Sequence, residues 1–198
     1  MTRLVLLLLL LAAPAAQAAR GDDPDWPCVQ RLVPLLAAGT LWSGPPPPDG
    51  DAWRAAPEVA ALVGRIAPRP VPEAEGLRAI EGFVTPLDPA ARRRLLPLVL
   101  AGLVDETNAQ RGALIERLKA FARRQRGQAE AANRAAAALD AALPGSPERA
   151  ELEQRHLFAA KVFQDAERTV RYACEVPVRL EARLGAYARA LEAALPND

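Results

Sequence analysis

Apolar side chains recur every seven residues through the last quarter of the chain. The spacing alternates between four and three residues for six heptads, which is typical of left-handed coiled-coil packing. Ser146 and Pro147 precede the pattern as a helix N-cap and a proline at the first helical position. A long helix with one packed seam is therefore predicted here. Its seam comprises Leu152, His156, Ala159, Phe163, Ala166, Val170, Ala173, Pro177, Leu180, Leu184, Tyr187 and Leu191.

A second long helix is predicted before the first. Asp88 and Pro89 form another N-cap pair, and no strong stop follows until Pro144. Pro97 interrupts the pattern and is expected to kink the helix. Some 55 residues make a rod of about 80 Å, and a four-residue turn makes the two long helices antiparallel. The matching stripe comprises Leu100, Leu103, Thr107, Leu114, Leu118, Phe121, Gln125, Ala132 and Leu139.

Two shorter amphipathic helices are expected ahead of this hairpin. The first has Asp51 as its cap and Pro57 near its first turn, and the second starts near Pro72. We expect both to pack around residues 95–103 and 180–195. Their apolar faces comprise Val59, Leu62, Val63 and Ile66 in the first helix, and Leu77, Ile80, Phe83 and Val84 in the second.

Residues 19–50 differ from the rest because proline and glycine interrupt them repeatedly. A short helix is predicted over residues 29–38, although Pro34 lies inside it. Residues 43–50 are expected to form an extended polyproline linker. The fold class is thus all-α: an elongated helical bundle built on a long antiparallel two-helix hairpin, with a Pro-rich N-terminal arm and two short helices. We place the arm and linker at residues 19–50 and the helical domain at residues 51–198.

Residues 1–18 have the pattern of a secretory signal peptide. Arg3 gives a positive start, residues 4–13 are all apolar, and Ala16 and Ala18 form a small-residue cleavage pattern. The apolar run is shorter than the roughly 20 residues that a spanning helix needs. We therefore expect a periplasmic or secreted protein with no integral membrane span after cleavage. An uncleaved, membrane-tethered start is the alternative.

Composition indicates a folded core and no strong global field. Hydrophobic residues make up 51% of the chain, charged residues make up 25%, and the formal net charge is +1. This balance excludes general intrinsic disorder and gives no attraction towards nucleic acid. The first long helix has an excess of bases and the second an excess of acids, which favours their pairing modestly.

Few residues could carry metal, haem or acid–base chemistry. His156 is the single histidine of the sequence, and the nearby Glu153 and Asp165 do not complete a metal-ligand set. Haem-attachment, phosphate-loop and nucleophile-elbow motifs are absent from the sequence. We expect no metal and no cofactor. We expect His156 to hydrogen-bond across the seam to Asn133 or Glu130, the alternative being a ligand or acid–base role.

A dense basic run lies in the middle of the first long helix. It could contact anionic headgroups or an acidic partner, but we favour a solvated face paired with acids of the next helix. Nucleic acid is not expected as a partner outside the cytoplasm. The run comprises Arg117, Lys119, Arg123, Arg124 and Arg126, and the acids expected to pair with it are Glu151, Glu153, Asp165 and Glu167.

All three tryptophans, Trp26, Trp42 and Trp53, lie early in the chain. Clustered tryptophans suit an interface because this residue type is enriched at interface anchors. They equally suit an arm that is held on its own bundle, which is the interpretation we favour.

The two cysteines, Cys28 and Cys174, are both retained after signal cleavage. An exported protein meets an oxidising compartment, where an even pair of cysteines normally forms a disulfide. Neither cysteine lies in a two-residue-spaced redox motif, so the disulfide is expected to be structural and to tie the arm to the bundle. Two separate buried thiols are the alternative.

These observations favour an exported, non-enzymatic interaction or scaffold protein. A long two-helix rod presents a large surface and no enclosed site, which suits binding of a protein partner in the cell envelope. The alternative is a carrier for a small apolar ligand held between the helices and the arm. An enzyme that acts through carboxylates alone is the third hypothesis.

Overall fold

The computed structural model describes residues 23–48 and 50–196, so the predicted signal peptide lies outside the described residues. The described chain is all-α, as expected. Two short 3₁₀ helices precede four α-helices that end in a long hairpin. The 3₁₀ helices span Ala38–Thr40 and Gly50–Ala55, and the α-helices are α1 (Pro57–Ile66), α2 (Glu73–Val84), α3 (Pro89–Ala141) and α4 (Pro147–Ala193).

Both long helices begin at the predicted caps. The Asp88 carboxylate accepts a hydrogen bond from the Ala91 amide at 2.8 Å, and proline occupies the next position. The Ser146 hydroxyl does the same for α4, at 3.1 Å from the Arg149 amide nitrogen. The two helices run on through Pro97 and Pro177, and both prolines are buried.

Side chain and backbone close the turn between α3 and α4. Gly145 has a φ of +78°, a left-handed conformation that glycine adopts without steric cost. The Arg149 guanidinium reaches back and donates to the carbonyls of Leu139 at 3.0 Å and Ala142 at 2.9 Å. Carbonyl groups at the end of α3, which have no partner within the helix, are thereby satisfied.

Burial along the hairpin seam is uneven. Near the base, Leu180, Leu184, Tyr187 and Leu191 of α4 are all buried, because α1 and α2 pack there against both long helices. Further out most seam residues are only half-buried. Among the described residues 127–173, Ala166 is the one side chain that is buried. Two helices alone cannot enclose a seam in the way that four can.

The short helices cover the base of the hairpin as predicted. All four residues of the predicted α1 face are buried, and those of α2 are buried or partly buried. Arg183 of α4 fixes the connection between α1 and α2 by donating to the carbonyls of Ala67 at 2.6 Å, Pro68 at 3.0 Å and Val71 at 3.0 Å. This buried arginine thus satisfies the carbonyl groups that follow the end of α1.

The helix predicted over residues 29–38 is wrong. This stretch has no helix apart from the 3₁₀ turn that starts at Ala38. Pro34 lacks an amide donor and excludes the helix. The backbone instead bonds to α3, where the Asn108 side chain accepts from the Leu36 amide at 2.8 Å and donates to the Leu36 carbonyl at 2.9 Å.

The start of the first short helix also differs from the prediction. Asp51 lies within the 3₁₀ helix rather than at an α-helix cap, and α1 begins later, at Pro57. Residues 43–48 form neither helix nor strand.

Candidate interaction surface

Exposed apolar side chains lie on the outer half of the hairpin. We define the outer half as residues 127–173, which comprise the end of α3, the turn and the first part of α4. Leu157 is 62% exposed and its neighbour Phe158 is 72% exposed. Leu143 in the turn and Tyr172 further along α4 are exposed as well. We name these four residues the outer surface, because adjacent large apolar side chains in solvent are typical of interaction sites.

Helix register explains why these side chains lie outside the seam. Leu157 and Phe158 stand between the seam residues His156 and Ala159, on the side of α4 that faces away from α3. Ion pairs between residues four apart flank them and keep nearby charges engaged within α4. The pairs are Glu151–Arg155 at 2.6 Å and Lys161–Asp165 at 2.8 Å.

His156 does not make the expected bond across the seam through its Nδ1 atom. The side chain is half-buried, and its Nδ1 atom is fully buried without a hydrogen-bond partner among the described residues. Glu130, one of the two expected partners, pairs with Arg134 at 3.9 Å on its own helix.

The three tryptophans are used within the molecule. Trp53 is buried in the core and its indole nitrogen donates to the Asp105 carboxylate at 2.9 Å. Trp42 is also buried in the core, and its indole donates to the Pro45 carbonyl at 2.7 Å. Trp26 is half-buried and closes a local turn of the arm by bonding to the Gln30 carbonyl, likewise at 2.7 Å. Trp42 therefore holds the linker end of the arm on the bundle, and Trp53 holds the segment that leads into α1.

Acids of the arm, rather than acids of α4, pair with the basic run. Lys119 lies 2.9 Å from the Asp23 carboxylate, and both Arg123 and Arg126 pair with the Asp25 carboxylate, Arg123 at 2.7 Å. The hydrogen bond from Lys119 holds the pKa of Asp23 below its ordinary value. The bonds from Arg123 and Arg126 do the same for the pKa of Asp25.

The acids expected to meet this run are engaged elsewhere or exposed. Asp165 pairs with Lys161 and Arg168, and Glu151 pairs with Arg155, all within α4. Arg117 and Arg124 stay exposed on α3. The basic run is thus partly a docking face for the chain's own arm.

The two cysteines form the expected disulfide. Cys28 and Cys174 are bonded, with their Cα atoms 5.6 Å apart, and Cys174 is buried beside the seam. The Gln30 side chain donates to the Cys174 carbonyl at 2.6 Å and reinforces the attachment. The bond fixes the arm midway along α4, at the boundary of the outer half.

A buried arginine lies beneath the arm and was missed in the sequence. Arg111 of α3 is 4% exposed, its Nη2 atom donates to the Val33 carbonyl at 3.1 Å and lies 3.7 Å from Glu181. Its Nε and Nη1 atoms are buried and have no hydrogen-bond partner in the part of the chain that the structure describes. Burial lowers the pKa of the guanidinium, and Glu181 offsets this only in part. The sequence feature that indicates the burial of Arg111 is its position four residues after the seam residue Thr107, on the same face of α3.

Within the described residues, no group of three or more His, Cys, Asp or Glu side chains is placed to hold a metal ion. No helix of the described chain is long and apolar enough to cross a membrane. Comparison of the chain with protein-family models, with curated proteins and with solved structures finds no match.

Proposed function

We propose that this chain is an exported, non-enzymatic interaction protein, periplasmic or secreted, that binds a protein partner of the cell envelope through the outer half of its hairpin. The observation that carries the proposal is the exposure of Leu157 and Phe158 where the chain's other elements leave α3 and α4 uncovered. Apolar side chains of this size bind most strongly when a partner removes them from water.

The other conspicuous residues support this placement. Trp42 and Trp53 are buried in the core, and the Asp25 carboxylate of the arm forms ion pairs with two arginines of the basic run. The two tryptophans are therefore not free to anchor a partner, and the arm occupies part of the basic run. The disulfide is compatible with the oxidising compartment that an exported protein meets.

The test is partner capture with matched surface variants. The oxidised protein serves as bait in an envelope extract, alongside the double variant Leu157→Ser/Phe158→Ser and the control Val178→Ser. Val178 is 49% exposed on the same helix but lies outside the outer half. We expect a specific protein to be retained by the wild type and the control and lost from the double variant.

Purification of the captured protein makes the test decisive. The captured protein should bind the double variant at least about tenfold more weakly than the wild type, since burying one large apolar side chain contributes about 1.5–3 kcal/mol. Equal binding by all three baits would refute the proposed surface.

A second candidate function is the carriage of a small ligand, and one cavity favours it. A space of about 420 Å³ lies between the arm and the long helices. Ligand pockets commonly measure roughly 300–1,000 Å³. The residues that line the cavity lie outside the outer half of the hairpin, so this function would be independent of the outer surface.

A further inference from the structure

A segment of the arm crosses this cavity between two anchors. We name residues 30–36 the strap. At one end the Gln30 side chain bonds to the Cys174 carbonyl beside the disulfide. At the other end the Asn108 side chain holds both the amide and the carbonyl of Leu36. Within the described residues, the middle of the strap is held on α3 by one hydrogen bond, which Arg111 donates to the Val33 carbonyl.

The cavity wall is mostly apolar and includes three charged side chains. Arg31 of the strap, Arg111 of α3 and Glu181 of α4 contribute the charged groups, so the lining carries one positive charge in excess. A mostly apolar lining with one excess positive charge matches a molecule that has an apolar tail and a single anionic group. The apolar wall comprises Trp26, Leu32, Val33, Ile115, Pro177, Val178 and Ala182.

Arg111 has hydrogen-bonding capacity that the described residues do not use. Two of its nitrogen atoms, Nε and Nη1, are buried without a partner among the described residues, and the Glu181 carboxylate lies 3.7 Å from Nη2. A buried polar group without a partner is costly, and such a group commonly marks the place of a bound ligand or water. A guanidinium offers a rigid fork of donors that matches the two oxygens of a carboxylate.

We propose that the cavity beneath the strap binds a carboxylate with an apolar tail, the carboxylate on Arg111 and the tail along the apolar wall. The inference rests on the second candidate function above. One carboxylate oxygen takes the place of the Val33 carbonyl at Nη2, and the other takes a bond from an adjacent donor of the same guanidinium. The strap yields locally at Val33 because both of its anchors lie away from that residue.

Calorimetric titration of the oxidised full-length mature protein tests the proposal. Octanoate and octanol are the probes, because they share an apolar tail and differ in charge. Arg111→Met removes the fork, and Arg117→Met is the matched control, being the same substitution at an exposed position of the same helix. We expect octanoate to bind at one site and Arg111→Met to weaken it by about ten- to a hundredfold. The control should bind as the wild type does.

Each outcome has one meaning. Preferential binding of octanoate that depends on Arg111 supports the proposal. Equal binding of octanol and octanoate, unaffected by Arg111→Met, overturns the carboxylate site and leaves the carrier function standing. Absence of saturable binding of either probe overturns both.

A crystal structure of the wild type with bromo-octanoate gives a readout that does not depend on a variant folding. The bromine should lie against the apolar wall and the carboxylate within hydrogen-bond distance of Arg111. An ordered water at Nη1 or Nε with the bromine elsewhere would overturn the proposal.

Discussion

Loss of the Cys28–Cys174 disulfide should strongly reduce the free energy of unfolding. The bond joins residues 146 positions apart, so it restricts most of the unfolded chain. In the chain-entropy treatment a loop of this size contributes about 5 kcal/mol at 25 °C. At about 2–4 °C per kcal/mol for a chain of this length, the melting temperature should fall by about 10–20 °C.

The measurement combines thiol titration with equilibrium unfolding. The unreduced protein is first denatured and titrated for free thiols, and none is expected. Urea unfolding is then followed by circular dichroism for the oxidised protein, the reduced protein and the Cys28→Ala/Cys174→Ala variant. The reduced protein and the variant should agree, and reductant should not affect the variant.

Two results would refute this reasoning. Two titratable thiols in the unreduced protein would show that the bond does not form. A stability difference below about 1 kcal/mol between oxidised and reduced protein would show that the unfolded chain gains little freedom on reduction.

Three further changes test the packing, a cap and the arm. Gly76→Ala should lower the free energy of unfolding by about 1–3 kcal/mol, because its Cβ would lie 2.8 Å from Cε1 of Tyr187 and closer to the ring hydroxyl. The control is Gly82→Ala on the same helix, where the added Cβ meets no atom within 4 Å. This control should leave the free energy of unfolding unchanged or raise it by up to about 1 kcal/mol. Asp88→Ala should lower the free energy of unfolding by about 1 kcal/mol in urea unfolding, since it removes the N-cap bond of α3. The pKa of the Asp25 carboxyl is depressed below its ordinary value of 3.8. Its stabilising contribution is therefore present above pH 3.8 and is lost as the pH falls through the lower pKa of the folded state. Asp25→Asn should remove this contribution to the acid dependence of the unfolding midpoint.

Each of these has a contradicting outcome. A Gly76→Ala protein as stable as Gly82→Ala would mean that the Tyr187 ring moves aside without cost. An unchanged midpoint for Asp88→Ala would mean that the cap bond is replaced by water. Identical dependence of the unfolding midpoint on pH for the wild type and Asp25→Asn would mean that the contact of Asp25 with the basic run does not contribute to stability in acid.

The sequence determines the long helices through local signals. The pairs Asp88–Pro89 and Ser146–Pro147 set both starts, because each cap bond forms between residues three apart. The seven-residue repeat then indicates which face packs. The disulfide could also be predicted, because Cys174 follows the seam directly and the chain offers one other cysteine.

The path of the arm could not be predicted in the same way. The arm's backbone takes its bonds from side chains far along the chain, such as Asn108 to Leu36 and Arg111 to Val33. Proline-rich segments have few local partners for their carbonyls, so tertiary contacts decide their course. The pairing of Asp25 with Arg123 follows from that course and was missed for the same reason.

The half-buried seam of the outer half gives the molecule a gradient of local stability. Backbone amides near Leu184 and Tyr187 can exchange with solvent deuterium only through nearly global opening, because α1 and α2 cover them. Amides of residues 127–173 are held by two helices alone and can open by fraying from the turn at Gly145. Exchange should therefore slow progressively from the turn towards the base. A partner that covers Leu157 and Phe158 would convert the fastest-exchanging part of the hairpin into a protected one.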